Sequence, residues 1–193
     1  MGRASQSPLN ESTNLGKESD PAIREALDTS SRFRQISPDM DMQIFTSSVH
    51  YRDPSAGLAF LERAFGFEVT MAIEGPPEAP HLCHYEMSCA GQGRIMVGGE
   101  WAAWVRSPAS VDGANTQSVH VELASGLDEH CERARAAGAV IVAEPEDQFY
   151  GDRTYRAMDP EGHCWTFSTK VREVTRAEAE AALGQPIRAT SWQ

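Results

Sequence analysis

The sequence predicts an α+β protein: two similar βαβββ modules in a pseudo-twofold arrangement, forming a curved, mixed sheet around a cavity with the helices on its outer face. Three observations carry this prediction. The first is an internal repeat. "SVHYRDPSAGLAFLERAFGF" from Ser48 is echoed by "SVHVELASGLDEHCERARAAGA" from Ser118, and His50 and His120, Ser55 and Ser125, and the triplets Glu62-Arg63-Ala64 and Glu132-Arg133-Ala134 all stand 70 positions apart. The second is the order of elements, which in each copy reads strand, helix, then three strands. The third is strand alternation. Phe45, Val49 and Tyr51 share one parity and Thr46, Ser48 and His50 the other; in the second copy Val119, Val121 and Leu123 oppose Ser118, His120 and Glu122. Side chains alternate across a strand, so the apolar set should pack on the helices and the polar set should line the cavity.

The first module, residues 42–98, opens with a strand from Met42 to Tyr51. Asp53 caps a helix with Pro54 in its first turn, Leu58, Leu61 and Phe65 give it an apolar face, and Gly66 ends it. Strands follow at Phe67–Ile73, Leu82–Cys89 and Arg94–Val97, the last two joined by the turn "AGQG". A linker, residues 99–115, leads to the second module, residues 116–170. There a strand at Ser118–Leu123 precedes a helix capped by Ser125, with Asp128 as a capping-box variant, and ended by Gly138. Strands are expected near Val140–Val142, Arg153–Met158 and Cys164–Ser168. The last two are joined by "DPEG", a tight turn in which Pro160 fixes the backbone and Gly162 accepts the unusual dihedrals.

The ends differ from this pattern. Residues 1–38 are rich in Ser, Asn, Asp, Glu and Gly and read as mostly disordered, with one short helix at "DPAIREALD". Residues 171–193 carry a helix with a Thr175/Glu178 capping box and a Gly184 stop; its alanine-rich face should dock lightly.

Composition narrows the function classes. A net charge of −11 argues against nucleic acid or an anionic membrane as partner. No apolar run approaches a bilayer span, and "MGRASQSPLNESTNLG" lacks the apolar centre of a signal peptide. Cys83, Cys89, Cys131 and Cys164 form no CxxC pair and read as reduced core thiols. A cytoplasmic protein is expected. There is no GxSxG, Walker loop or dinucleotide fingerprint.

The phrases "YRDPSAGLAFLERAFGFEV", "CERARAAGAVIVAEPEDQFYGDR" and "DPEGHCWTF" resemble the vicinal oxygen chelate superfamily of glyoxalases, bleomycin-resistance proteins and extradiol dioxygenases, and most of all its PhnB-like, bleomycin-resistance-type branch. The resemblance covers Met42 to about Lys170. It implies a concave ligand cavity, often completed across a homodimer, and in the family's enzymes a metal held from the closing and opening strands of each module. Those slots fall here at Thr46, Met96, Ser118 and Thr166, none a usual ligand for zinc, nickel, iron or manganese. His163 stands on the opposite parity from Thr166.

The candidate ligand-binding residues are therefore His50, His120 and Glu122, which share the predicted cavity face, with Trp101, Trp104 and Tyr155 as apolar walls. The tryptophans alternatively cover the core where the modules meet. His84 and Glu86 read as rim or solvent-facing, and His130, on a helix, and His81, in a loop, as exposed. The favoured reading is a metal-independent small-molecule-binding protein, with no cofactor, acting as a homodimer that sequesters a toxic or natural-product ligand. One alternative is a lyase, isomerase or dioxygenase with a divalent metal in a displaced site, using His50, His120 and Glu122. Another is a non-catalytic interaction module whose acidic tails are the working part.

Overall fold

Each module folds as its alternation and caps require. A computed structural model describes residues 45–192; the expectations for residues 1–38 and for a strand start at Met42 fall outside the described residues. Strand β1 (Ser47–Tyr51) leads into helix α1 (Pro54–Phe60), where the Asp53 carboxylate accepts from the Ala56 N–H and Pro54 occupies the first turn. The helix runs on as a π-helical turn, Leu61–Phe65, and stops at Gly66, whose φ of 71° is left-handed. Strands β2 (Phe67–Ile73), β3 (His84–Cys89) and β4 (Gln92–Gly99) complete the module. Its four-stranded sheet has the order β1-β4-β3-β2, with β1 parallel to β4 and the other pairs antiparallel.

The second module repeats this plan: β5 (Ser118–Glu122), α2 (Leu127–Ala136), β6 (Val140–Asp147), β7 (Asp152–Met158) and β8 (Cys164–Lys170), in the order β5-β8-β7-β6. Its helix cap differs from expectation. Ser125 makes no cap; Gly126, at φ 75°, stands at that position, and Asp128 pairs with Arg153 at 3.0 Å instead of closing a capping box. Four residues separate β5 from α2, against two between β1 and α1, and the left-handed glycine closes this longer connection. Helix α3 (Arg176–Leu183) carries the expected Thr175/Glu178 capping box and ends at Gly184. Among the described residues no helix is long and apolar enough to cross a membrane, and the four cysteines are free thiols.

The apolar parity packs inward along β1 and β5, except at Phe45, which was expected on the helices but precedes β1 and is 85% exposed. Val49 and Tyr51 are buried, as is Val119, whereas Ser48 and His50 are half-buried and Ser118, His120 and Glu122 exposed. The two cores are continuous. Phe65, at the end of the first module's helical segment, meets Trp165 at 5.4 Å and Phe167 at 4.9 Å between ring centroids, and Phe67 meets Trp165 at 5.6 Å. Burying that much aromatic surface is the main attraction between the modules.

Candidate functional site

A buried carboxylate fastens the module junction. Asp159, in the turn between β7 and β8, accepts the Tyr51 hydroxyl at 2.6 Å, the Trp165 indole N–H at 3.1 Å and the His163 Nδ1–H at 3.1 Å. Its other oxygen accepts the backbone N–H groups of Glu161 and His163. Burial alone would raise its pKa, but the hydrogen bonds from His163, Tyr51 and Trp165 outweigh burial and hold it below the usual carboxylate range. Glu161, two residues on, accepts the N–H groups of Arg52 and Asp53 from the first module and the Ser107 hydroxyl from the linker. The conspicuous "DPEGHCW" phrase is thus a clasp that ties β1, the linker and β8 together.

The clasp sets β1 and β5, each an edge strand of its sheet, at the junction, and two cavities open there. The first, about 420 Å³, draws Phe45, Ile95 and Phe67 from the first module and Val119, His120 and Glu122 from the second. His120 holds the Ser168 hydroxyl with Nε2 at 2.9 Å, and its Nδ1 has no hydrogen-bond partner among the described residues. Glu122 is exposed and its carboxylate meets no protein donor among the described residues. Apolar walls with a few unengaged polar atoms are the usual make-up of a small-molecule site, and the volume is in the range such sites have.

The second cavity, about 390 Å³, lies under the linker and is lined by Ser48, His50, Trp104 and His163 among others. His50 donates from Nδ1 to the Gly99 carbonyl at 3.2 Å, so its Nε2 accepts from Ser48, at 3.1 Å. Burial holds His50 below the ordinary histidine range, against the raising effect of the Gly99 bond.

The predicted site residues therefore separate. His120 and Glu122 share the first cavity; His50 and Trp104 line the second, so the three polar candidates do not converge on one point. Trp101 and Trp104 touch edge to face at 4.9 Å and are 48% and 77% exposed, so they do not cover the core. Tyr155, expected as a wall, is 1% exposed and belongs to the core, because it shares the inward parity of β7 with Ala157. His130, expected to be exposed, is buried: it accepts the Tyr155 hydroxyl at 2.6 Å on Nδ1 and donates from Nε2 to the Phe65 carbonyl at 3.1 Å. The signal for it was present, since Leu127, His130, Cys131 and Ala134 form one helical stripe. His84 and Glu86 pair at 3.8 Å near the surface.

The metal positions of the related enzymes can be tested directly. The closing-strand positions Met96 and Thr166 stand beside Ser48 and His120 in the parallel ladders. Thr166 already accepts a hydrogen bond from Arg156 at 3.2 Å. Two threonines, a serine and a methionine offer neutral hydroxyls and a thioether, a donor set that does not fit a hard divalent cation. Among the described residues no three of His, Cys, Asp or Glu converge closely enough to hold a metal ion.

Residues 46–167 match the family model of the Glyoxalase/Bleomycin resistance protein/Dioxygenase superfamily. The chain belongs to this superfamily. Among solved structures it is similar to TioX from Micromonospora sp. ML1, with 28% identity and a TM-score of 0.51 over 67% of this chain and 100% of that one. It is also similar to TnmS3 from Streptomyces sp. CB03234, an antibiotic binding protein, with 17% identity and a TM-score of 0.52 over 68% and 98% of the two chains; at that identity the likeness concerns the fold alone. Among curated proteins it matches the uncharacterized protein Mb0911c of Mycobacterium bovis, with 38% identity over 77 residues, 40% of this chain and 49% of that protein. The matched region thus spans about half the length of that relative.

Proposed function

We propose that this superfamily member binds a small organic molecule in the junction cavity, without a metal, and serves as a binding or sequestering protein of the bleomycin-resistance type. One observation supports the reading: both modules supply apolar walls to a cavity of about 420 Å³ in which the Glu122 carboxylate and His120 Nδ1 are engaged by none of the described residues. A ligand that fits has a flat apolar body for Phe45 and Phe67 and a hydrogen-bond donor or basic nitrogen for Glu122. The description of TnmS3 as an antibiotic binding protein agrees with a natural-product ligand on this fold. The misfit of the metal positions supports a role in binding. We further propose a cytoplasmic homodimer: the cysteines are free, and Val69, Met71 and Ile73 leave an apolar row exposed on edge strand β2.

The test is a thermal-shift screen of the purified full chain against aromatic natural-product antibiotics, with metal analysis of protein prepared without chelator. At least one compound should raise Tm, and Glu122→Ala or His120→Ala should remove the effect. Stabilisation indifferent to both replacements, or a stoichiometric divalent metal that is lost on His120→Ala, contradicts the proposal. Sedimentation at micromolar concentration tests the dimer.

A further inference from the structure

His163, a member of the Asp159 clasp, reaches the linker-roofed cavity. Its residue exposure is only 6%. Its Nδ1 faces the Asp159 carboxylate, which accepts only, so in the neutral ring Nδ1 carries the proton and Nε2 is the acceptor. Nε2 makes no hydrogen bond with the described residues, yet none of their buried side-chain nitrogens or oxygens lacks a partner. The two facts are compatible only if Nε2 is open to the linker-roofed cavity that His163 lines. A buried carboxylate behind an imidazole fixes its tautomer, orients the ring and stabilises positive charge on it. Against the ring's face lies Tyr51, at 4.5 Å between centroids, which holds the imidazole in place.

We propose that this cavity is a second binding site, for a phenol or enol, whose hydroxyl donates its hydrogen bond to His163 Nε2 while its ring rests on Trp104. The chemistry of the lining selects that class. Nε2 needs a donor. Among the described lining residues there is no Asp or Glu, so an ammonium donor would find no carboxylate on the cavity wall. A phenol needs no such counter-ion, and Arg106, which also lines the cavity, is already paired with Glu100 at 3.2 Å. His50 does not compete, because both of its ring nitrogens are already engaged with Gly99 and Ser48. Val105, Pro108 and Val111 supply an apolar wall for the ring. The site is separate from the His120/Glu122 cavity, so it stands or falls independently of the function proposed above.

The test uses 4-nitrophenol and its methyl ether, 4-nitroanisole, as probes of the full chain, with binding followed by calorimetry and by the visible absorbance of the phenol. 4-Nitrophenol should bind saturably at one site that includes His163. 4-Nitroanisole, which has no proton to give, should bind at least tenfold more weakly. His163→Asn keeps a donor toward Asp159 but removes the acceptor, and should cost at least tenfold. Trp104→Ala, at a position 77% exposed, should cost about fivefold, and both losses should persist when the titrations are repeated in a Glu122→Ala background, which takes the acceptor out of the other cavity. Equal binding of the two probes, unchanged affinity in folded His163→Asn, or no saturable binding of 4-nitrophenol up to millimolar concentration overturns the proposal. Should His163→Asn not fold, the comparison of the two probes on the unaltered chain and the Trp104→Ala result decide it.

Discussion

Replacing Asp159 by Asn should loosen the joint between the modules, and its cost can be worked from the hydrogen bonds. The side chain is 0% exposed, and one of its oxygens accepts from Tyr51, Trp165 and His163 at 2.6, 3.1 and 3.1 Å. Asn keeps the other oxygen for the backbone N–H groups of Glu161 and His163 but puts an NH₂ where those three donors point. Tyr51 can turn its hydroxyl to accept, and His163 can change tautomer. The indole N–H of Trp165 can only donate, so it is stranded in the core, at roughly 1–3 kcal/mol. Losing two charge-assisted bonds adds about 1 kcal/mol. The expected loss is about 3 kcal/mol, or roughly 6–12 °C in Tm for a chain of this size. Urea denaturation followed by tryptophan fluorescence, with calorimetry, measures it. The pH dependence gives a second check. The Asp159 pKa is lowered in the fold, so its stabilisation is complete above the unfolded value of about 4 and is lost as pH falls through the lowered folded value. The gap between wild type and Asp159→Asn should therefore shrink on acidification below pH 4. A loss under about 0.5 kcal/mol at neutral pH, or a gap that widens with acid, refutes this account of the clasp.

Two further predictions rest on the core. Gly57 lies within α1, where Ala would ordinarily be favoured by about 1 kcal/mol, yet a β-carbon there would come within 2.8 Å of the buried Tyr51 ring. Overpacking of this kind costs roughly 1–3 kcal/mol, so Gly57→Ala should lower the urea midpoint; a raised midpoint contradicts the packing described. Burial holds His130 below the ordinary histidine range, outweighing its bond to the Phe65 carbonyl. Stability from that residue is present above the unfolded pKa of about 6.5 and falls as pH drops below it, because the unfolded chain takes the proton more readily. Denaturation midpoints at pH 7.5 and 5.5 should show a larger fall for wild type than for His130→Gln, and equal falls would rule out a buried neutral His130.

Periodicity was enough to read the architecture. The 70-residue repeat, the Asp53–Pro54 cap and the Gly66, Gly138 and Gly184 stops are local signals, and helices and turns obey local rules. Alternation along β1 and β5 has only two outcomes, and it picked out Val49, Tyr51 and Val119 as buried; it did not pick out the cavity face, since Phe45 and Val119 line the junction cavity beside His120 and Glu122. What also failed was the assembly of a site from that face. A strand's parity says which side a residue occupies but not which neighbour it meets across a junction, so His50 and His120, equivalent by the repeat, were expected together and lie in different cavities. The linker is the reason: it roofs the His50 side and has no counterpart at His120. Tyr155 and His130 were misjudged because each was weighed by type. Read by parity beside Ala157, and by helical stripe beside Leu127 and Cys131, both belong to the core. His163 was set aside for standing off the metal slot, yet that same parity places it against Asp159.

The central claim is that the His120/Glu122 cavity holds the ligand. It is tested most directly by nitrogen-resolved NMR of the imidazole rings while a stabilising compound from the screen is added. Six histidines, assigned by single replacements, report on separate places: His120 on the junction cavity, His50 and His163 on the linker-roofed one, and His130 on the core. The account predicts that the His120 ring signals move saturably with the compound while those of His130 stay still. Saturable stabilisation that leaves the His120 signals unmoved would contradict it.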